Sequence, residues 1–282
     1  MQPPVPANFL TVDLEEWFHV NYAGIDTSGL NSSTSNLPAL ADRLLGRFAE
    51  HGARCSFFVL GSVAERYPTV IRKLNEAGHE IASHGYGHRS VFLMSREEFR
   101  ADLRRASAIL ESITGQKVLG FRAPSFSVTR EILPWYYETL EELGFAYSSS
   151  VFVGRTFLYG IPDFLYRIHA PCGPGWKTRI VEIPITRVRL GSKFLPIYLR
   201  LFPASFIIRQ VRQENAAGRP AMLYLHPREI DPTQPRLPLS TIQAAIHYFG
   251  ISGCERKVGR ILRSAPFTTI EEYLGRQTIT VR

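Results

Sequence analysis

Six side chains in this sequence have the types and spacing to carry out a hydrolysis. His84 and His88 stand four apart in Ser83-His84-Gly85-Tyr86-Gly87-His88, with glycines between them. Neutral imidazoles at that spacing can close on one divalent ion of the zinc type, leaving room for a carboxylate and a water. Asp13 and Glu15 stand two apart in Asp13-Leu14-Glu15-Glu16. Residues two apart in extended backbone point the same way, so both carboxylates address one centre. One then completes a two-histidine metal site, and the other is free to take a proton from a water that the ion activates. Glu16 is the alternative ligand, although its side chain should face away. Arg122, just ahead of Pro124, can hold the free carboxylate ionised; its plainer reading is a surface salt bridge. His226 lies between an apolar run and Pro227. Its ordinary pKa near neutrality suits it to protonate a leaving amine, the plainer reading being a satisfied core histidine.

The elements that must position these residues can be read from hydrophobic periodicity. The apolar run Phe9-Leu10-Thr11-Val12 ends at Asp13, and Glu80-Ile81-Ala82-Ser83 ends at His84. Residues 117–121 lead to Arg122, and residues 221–225 lead to His226. Further strands are expected at 56–60, 145–151 and 179–184. Helical spacing appears over 37–51, 68–77, 204–217, 239–249 and 254–264, and in a helix through Tyr136, Leu140 and Leu143. Capping boxes at Ser95-Arg96-Glu97-Glu98 and Thr269-Ile270-Glu271-Glu272 open two more. Residues 21–36 read as a loop, and 154–176 as an irregular, aromatic-rich segment. Strand and helix alternate about seven times without a linker. That order implies parallel strands with crossover helices, and the expected fold is a single-domain α/β protein, residues 1–282, with a distorted (β/α)7-type barrel. In such a barrel the C-terminal strand ends converge on one face, where active sites are built. All six residues follow strands and should meet there.

Composition narrows the field. The chain has 282 residues and a net charge of +8, but its basic residues are scattered rather than gathered in a tract. That pattern argues for a solvated basic surface and against nucleic-acid binding, while leaving membrane-surface contact open. No apolar run approaches the ~20 residues of a membrane helix. The opening residues lack the basic and apolar regions of a secretory signal, and the three cysteines, Cys55, Cys172 and Cys254, are too sparse to frame disulfides. Both points lead to the expectation of a cytoplasmic protein. Cys55, inside an apolar run, reads as a buried strand residue. No G-x-S-x-G, Walker or G-x-G-x-x-G pattern supplies a nucleophile elbow or phosphate cradle.

At these residues the chain resembles the polysaccharide deacetylase family, carbohydrate esterase family four. Thr11-Val12-Asp13-Leu14-Glu15-Glu16, Ser83-His84-Gly85-Tyr86-Gly87-His88, Arg122-Ala123-Pro124-Ser125-Phe126 and Leu223-Tyr224-Leu225-His226-Pro227 are similar to its motifs, in order, across residues 9 to about 231. The resemblance implies a distorted barrel that removes acetyl groups from sugars with a divalent metal. It implies Asp13 as base, Glu15, His84 and His88 as metal ligands, Arg122 as orienter of the base and His226 as acid. Zinc is the favoured ion for such donors, with cobalt, nickel or iron also accommodated. The runs 13–20 and 226–231 resemble the branch associated with bacterial exopolysaccharide and surface-polysaccharide loci, including O-antigen biosynthesis. The chain departs from the family where an aspartate usually stands: Tyr147-Ser148-Ser149-Ser150 offers serine. Glu182 or Asp163 is then the expected partner for His226. The leading expectation is deacetylation of an acetylated amino sugar in a glycan or its precursor. The alternatives are an amidohydrolase for a small non-sugar amide and a catalytically silent glycan-binding protein. Oligomeric state is not readable from the sequence.

Overall fold

The computed structural model describes residues 7–20, 25, 30, 35–156, 160–191 and 193–276. Seven apolar runs become short parallel strands: β1 (Phe9–Leu14), β2 (Ser56–Val59), β3 (Glu80–Ser83), β4 (Gly120–Phe121), β5 (Tyr147–Ser148), β8 (Val181–Glu182) and β11 (Met222–Leu225). They form one sheet in the order β11-β1-β2-β3-β4-β5-β8. Thr186 N–H donates to the Met222 carbonyl (2.9 Å) and Met222 N–H to Thr186 Oγ1 (2.8 Å), which draws the two edges together. The result is the curled, seven-stranded barrel expected from the alternation.

Crossover helices cover the outside: α1 (Leu37–Ala49), α2 (Gly61–Arg66), α3 (Pro68–Glu76), α4 (Arg96–Thr114), α5 (Leu133–Glu142), α6 (Ala204–Ala216), α7 (Thr241–Tyr248) and α8 (Ile251–Leu262). A ninth, α9 (Ile270–Arg276), closes the N-terminal end of the sheet. The capping box at Ser95 forms in full, and the one at Thr269 forms only its Thr269 half. Ser95 Oγ accepts from Glu98 N–H while Glu98 Oε2 accepts from Ser95 N–H, and Thr269 Oγ1 accepts from Glu272 N–H. Such caps satisfy amide groups that a helix start would otherwise leave orphaned. No helix among the described residues is long and apolar enough to cross a membrane.

Side-chain parity along the strands decides what reaches the site. Leu10, Val12 and Leu14 pack outward in the large core beneath the helices, whereas Phe9 packs inward with Phe58, Ala82, Tyr147, Met222 and Tyr224. Odd positions of β1 and even positions of β11 therefore face the barrel interior. Asp13 and His226 inherit that direction. Each fully buried aromatic or aliphatic side chain contributes about 1.5–3 kcal/mol relative to exposure, so a one-residue slip that exchanged the two faces would be costly.

Several strands are shorter than their apolar runs suggest. Expected strands at 117–121, 145–151 and 179–184 shrink to two residues each, and just past them the Arg122 side chain turns into the barrel to donate to Ser149. Two antiparallel hairpins were not foreseen, β6 (Cys172–Gly173) with β7 (Trp176–Lys177) and β9 (Arg187–Leu190) with β10 (Lys193–Pro196). The loop expected over 21–36 lies mostly outside the described residues, as does part of the aromatic-rich segment, 157–159. All three cysteines are free. Cys55 is buried directly before β2, and burial pushes its thiol upward, as befits an inert core residue.

Candidate active site

The six predicted residues meet at the C-terminal ends of β1, β3, β4 and β11. Glu15, His84 and His88 each offer one ligand atom, and the three atoms lie within 4.8 Å of one another in a buried cluster. Glu15 Oε2 is 2.8 Å from His88 Nε2 and 3.7 Å from His84 Nε2, and has no hydrogen-bond donor of its own. His84 Nδ1 is 2.8 Å from the Arg122 carbonyl. A carbonyl can only accept, so the proton sits on Nδ1 and the Nε2 lone pair is turned into the cluster. Burial lowers the pKa of His88, against the pull of Glu15, which keeps this imidazole neutral and fit to ligate. Burial opposes ionisation of Glu15, yet His88 and the guanidinium of Arg228 hold its carboxyl well below the ordinary value. One carboxylate and two imidazoles, with an orphaned buried oxygen between them, fit a divalent ion in tetrahedral or larger coordination.

The loop that carries the histidines is built to bring them together. Gly85 has φ +79°, and a Cβ there would lie 2.8 Å from Asp102 Oδ2. That same oxygen accepts the Tyr86 N–H at 2.8 Å, so α4 clamps the turn against a residue with no side chain. His88 itself sits in the left-handed region at φ +59°, a conformation uncommon outside glycine and asparagine-like residues. The ring of His19 stacks on His88 with centroids 5.5 Å apart. Glu16 is buried but is absent from the ligand cluster, in keeping with its opposite direction along the chain.

Asp13 and Arg122 form the second part of the site. Arg122 is fully buried, so its reading as a surface salt bridge is overturned. Its Nη1 donates to Asp13 Oδ1 at 2.6 Å and to Thr11 Oγ1 at 2.7 Å. Nε and Nη2 donate to Ser149 O at 3.2 Å and Ser149 Oγ at 3.0 Å, and the guanidinium lies 4.0 Å from the centroid of the Phe58 ring. A buried arginine without such partners would carry a large desolvation cost. Here the guanidinium occupies Oδ1 and leaves Asp13 Oδ2 facing His226, whose Nε2 is 3.8 Å away. His226 Nε2 is also 3.5 Å from Glu15 Oε1. His226 thus lies beside Asp13 and Glu15 in the cluster rather than in a satisfied core.

The partner expected for His226 is corrected. Glu182 has the wrong parity: its neighbours Val181 and Ile183 face inward, and its carboxylate turns outward to accept from Ser150 N–H, Val151 N–H and Tyr137 OH. Asp163 is exposed and pairs with Arg130. Ser148 bonds Tyr136 OH at 2.8 Å, away from the site. The carboxylate nearest His226 Nδ1 is Glu229 Oε1, at 3.6 Å. Sequence reasoning missed Glu229 and also Arg228, which pairs with Glu15. The available signal was Pro227, which opens a 3₁₀ turn over Pro227–Ile230. In such a turn positions three apart eclipse, and 226 and 229 share a side.

Two family models match the chain, polysaccharide deacetylase over residues 31–147 and a domain of unknown function over residues 149–275. A peptidoglycan-N-acetylglucosamine deacetylase from Bacillus cereus is 26% identical over 96 residues, 34% of this chain and 35% of that protein. A chitooligosaccharide deacetylase from Azorhizobium caulinodans is 31% identical over 97 residues, 34% of this chain and 46% of that protein. The matches thus span less than half the length of these curated relatives. A crystal structure from Mycobacterium smegmatis, provisionally named a polysaccharide deacetylase, superposes with a TM-score of 0.63 at 19% identity, covering 100% of this chain and 95% of that one. The family model and the deacetylase relatives thus support the polysaccharide deacetylase family for about the first half of the chain, and the solved structure shares the fold of the whole.

Proposed function

We propose that this chain is a metal-dependent deacetylase that hydrolyses the N-acetyl group of an amino sugar in a bacterial surface polysaccharide or its lipid-linked precursor. The observation that carries the reading is the convergence on one strand-end face of the Glu15, His84 and His88 donors with Asp13 and His226. Glu15, His84 and His88 hold the ion, with zinc favoured and cobalt, nickel or iron accommodated by the same donors. When bound, the ion supplies Lewis-acid polarisation of the acetyl carbonyl and a more acidic water. Asp13 accepts the water proton through Oδ2, since Oδ1 is engaged by Arg122. Arg122 fixes that carboxylate in direction. His226 delivers a proton through Nε2 to the departing sugar nitrogen, which would otherwise leave as a poor amide anion.

Relatives named for peptidoglycan and chitooligosaccharide deacetylation support N-acetylglucosamine-type chemistry. The surface-polysaccharide assignment rests on the runs 13–20 and 226–231. A single catalytic domain is favoured because β8 and β11, from the second matched segment, belong to the same sheet as β1 to β5. A cytoplasmic setting is favoured by three unpaired cysteines. The test is acetate release from N-acetylglucosamine oligomers and from lipid-linked acetylated sugars, with Asp13→Asn and His226→Ala as controls. Absence of turnover on every acylated sugar with metal supplied rejects the proposal.

A further inference from the structure

The mechanism proposed above leaves one side of its acid unexplained. His226 Nδ1 is buried and has no hydrogen-bond partner, and the same is true of Glu229 Oε2. The two side chains face each other, with His226 Nδ1 3.6 Å from Glu229 Oε1. A distance of that size closes to a hydrogen bond with a small rotation, and catalytic hydrogen bonds often tighten only when substrate binds. Glu229 is itself held from behind. Arg200, also buried, donates from Nε to Glu229 Oε1 at 3.1 Å. Its Nη1 donates to the carbonyls of Ile246 (2.7 Å) and Phe249 (3.1 Å) at the end of α7. The Arg200 carbonyl in turn accepts from Lys257 Nζ on α8 at 2.6 Å. Burial opposes charge on Glu229, but Arg200 and then His226 and Arg228 bring its pKa down to about 2. The other carboxylates near the turn are committed: Asp231 accepts from Thr233 and Asn36, and Glu182 and Asp163 lie elsewhere.

We infer that Glu229, clamped by Arg200, is the positioning carboxylate for His226, accepting a hydrogen bond from Nδ1–H and aiming Nε2 at the leaving nitrogen. An imidazole that donates one ring proton to a fixed carboxylate has its tautomer and ring plane set, which is the general requirement for directed proton transfer. A purely structural reading gives Glu229 only the task of neutralising Arg200 beneath α7.

The inference rests on the deacetylase reading, and the experiment separates the two. Wild type, Glu229→Gln, Glu229→Asp, His226→Ala and the His226→Ala/Glu229→Gln double variant are assayed, metal-loaded, on an N-acetylglucosamine oligomer and on 4-nitrophenyl acetate. The nitrophenolate leaves without needing a proton, so it does not call on the acid. Glu229→Gln is expected to lower kcat on the amide about 10–100-fold with KM within about threefold, while aryl acetate turnover falls less than about threefold. Glu229→Asp restores part of the amide rate, and the double variant is no slower than His226→Ala. Equal losses on both substrates, or an undiminished loss in the His226→Ala background, overturn the inference. A wild type that hydrolyses aryl acetate but no acetylated sugar overturns the deacetylase reading beneath it. Where Glu229→Gln does not fold, the Arg200→Met/Glu229→Met pair removes both charges at similar volume, and the same amide-to-ester ratio decides.

Discussion

Replacing Asp13 with Asn removes a negative charge and almost no volume, so it separates the base from the scaffold. In the native site Arg122 Nη1 reaches Asp13 Oδ1 at 2.6 Å, with both side chains at 3% exposure or less. Breaking one partner of a buried ion pair costs about 3–5 kcal/mol. The asparagine Oδ1 still accepts, and Arg122 keeps Thr11 and Ser149, so the lower end, about 3 kcal/mol, is expected. For a domain of this size that is a fall of roughly 5–10 °C in Tm. The kinetic effect should be larger in kind. An amide oxygen is a negligible base, and loss of general-base assistance costs about 10²–10⁴-fold, or roughly 3–5 kcal/mol of transition-state stabilisation. The measurements are thermal unfolding and acetate release on the same metal-loaded preparation at a temperature where both forms are folded. A variant within about threefold of wild-type kcat would refute the role of Asp13, and an unchanged Tm would refute the energetic pairing with Arg122.

Other consequences follow from the same geometry. Arg122→Lys keeps the charge beside Asp13 but cannot span to Ser149, leaving two buried acceptors unserved; chemical denaturation should show a loss of about 2–5 kcal/mol. Gly85→Ala places a Cβ 2.8 Å from Asp102 Oδ2 at φ +79°, and should cost about 1–3 kcal/mol while weakening zinc binding measured by calorimetry. The Glu229 carboxyl has a pKa of about 2 in the folded chain against about 4.3 unfolded. Because the folded value is depressed, its contribution to stability, about 3 kcal/mol, is present above pH ~4.3 and is lost as pH falls toward ~2. Urea unfolding of metal-free wild type and Glu229→Gln should therefore diverge at pH 7, lie about half as far apart near pH 3 and converge only toward pH ~2; curves that stay parallel would contradict the linkage.

The sheet and the convergence of six polar residues on one strand-end face were legible because alternation and strand ends are local properties. Asp13, on β1, and Glu15, one residue past its end, share parity, and the His84–His88 loop carries its own spacing. What was not legible depended on distant partners. The run Ile180-Val181-Glu182-Ile183 lacks strict alternation, so nothing local says that Glu182 turns outward to Tyr137 and the Ser150 amide. The Arg200–Glu229 pair joins residues 29 positions apart and depends on carbonyls at the end of α7 holding Arg200 beside the 3₁₀ turn, on which α8 packs. The two short hairpins lie in a stretch whose glycines and aromatics carry no clear period.

The most direct test of the account is metal-dependent turnover with ligand control. The protein is stripped with a chelator, refilled with zinc to a measured stoichiometry, and assayed for acetate release from N-acetylglucosamine oligomers beside Glu15→Gln and His84→Ala. One ion per wild-type chain is expected, with activity lost on stripping and regained on refilling, and weak metal retention in both variants. Turnover that is indifferent to stripping, or full metal occupancy in both variants, would contradict that expectation.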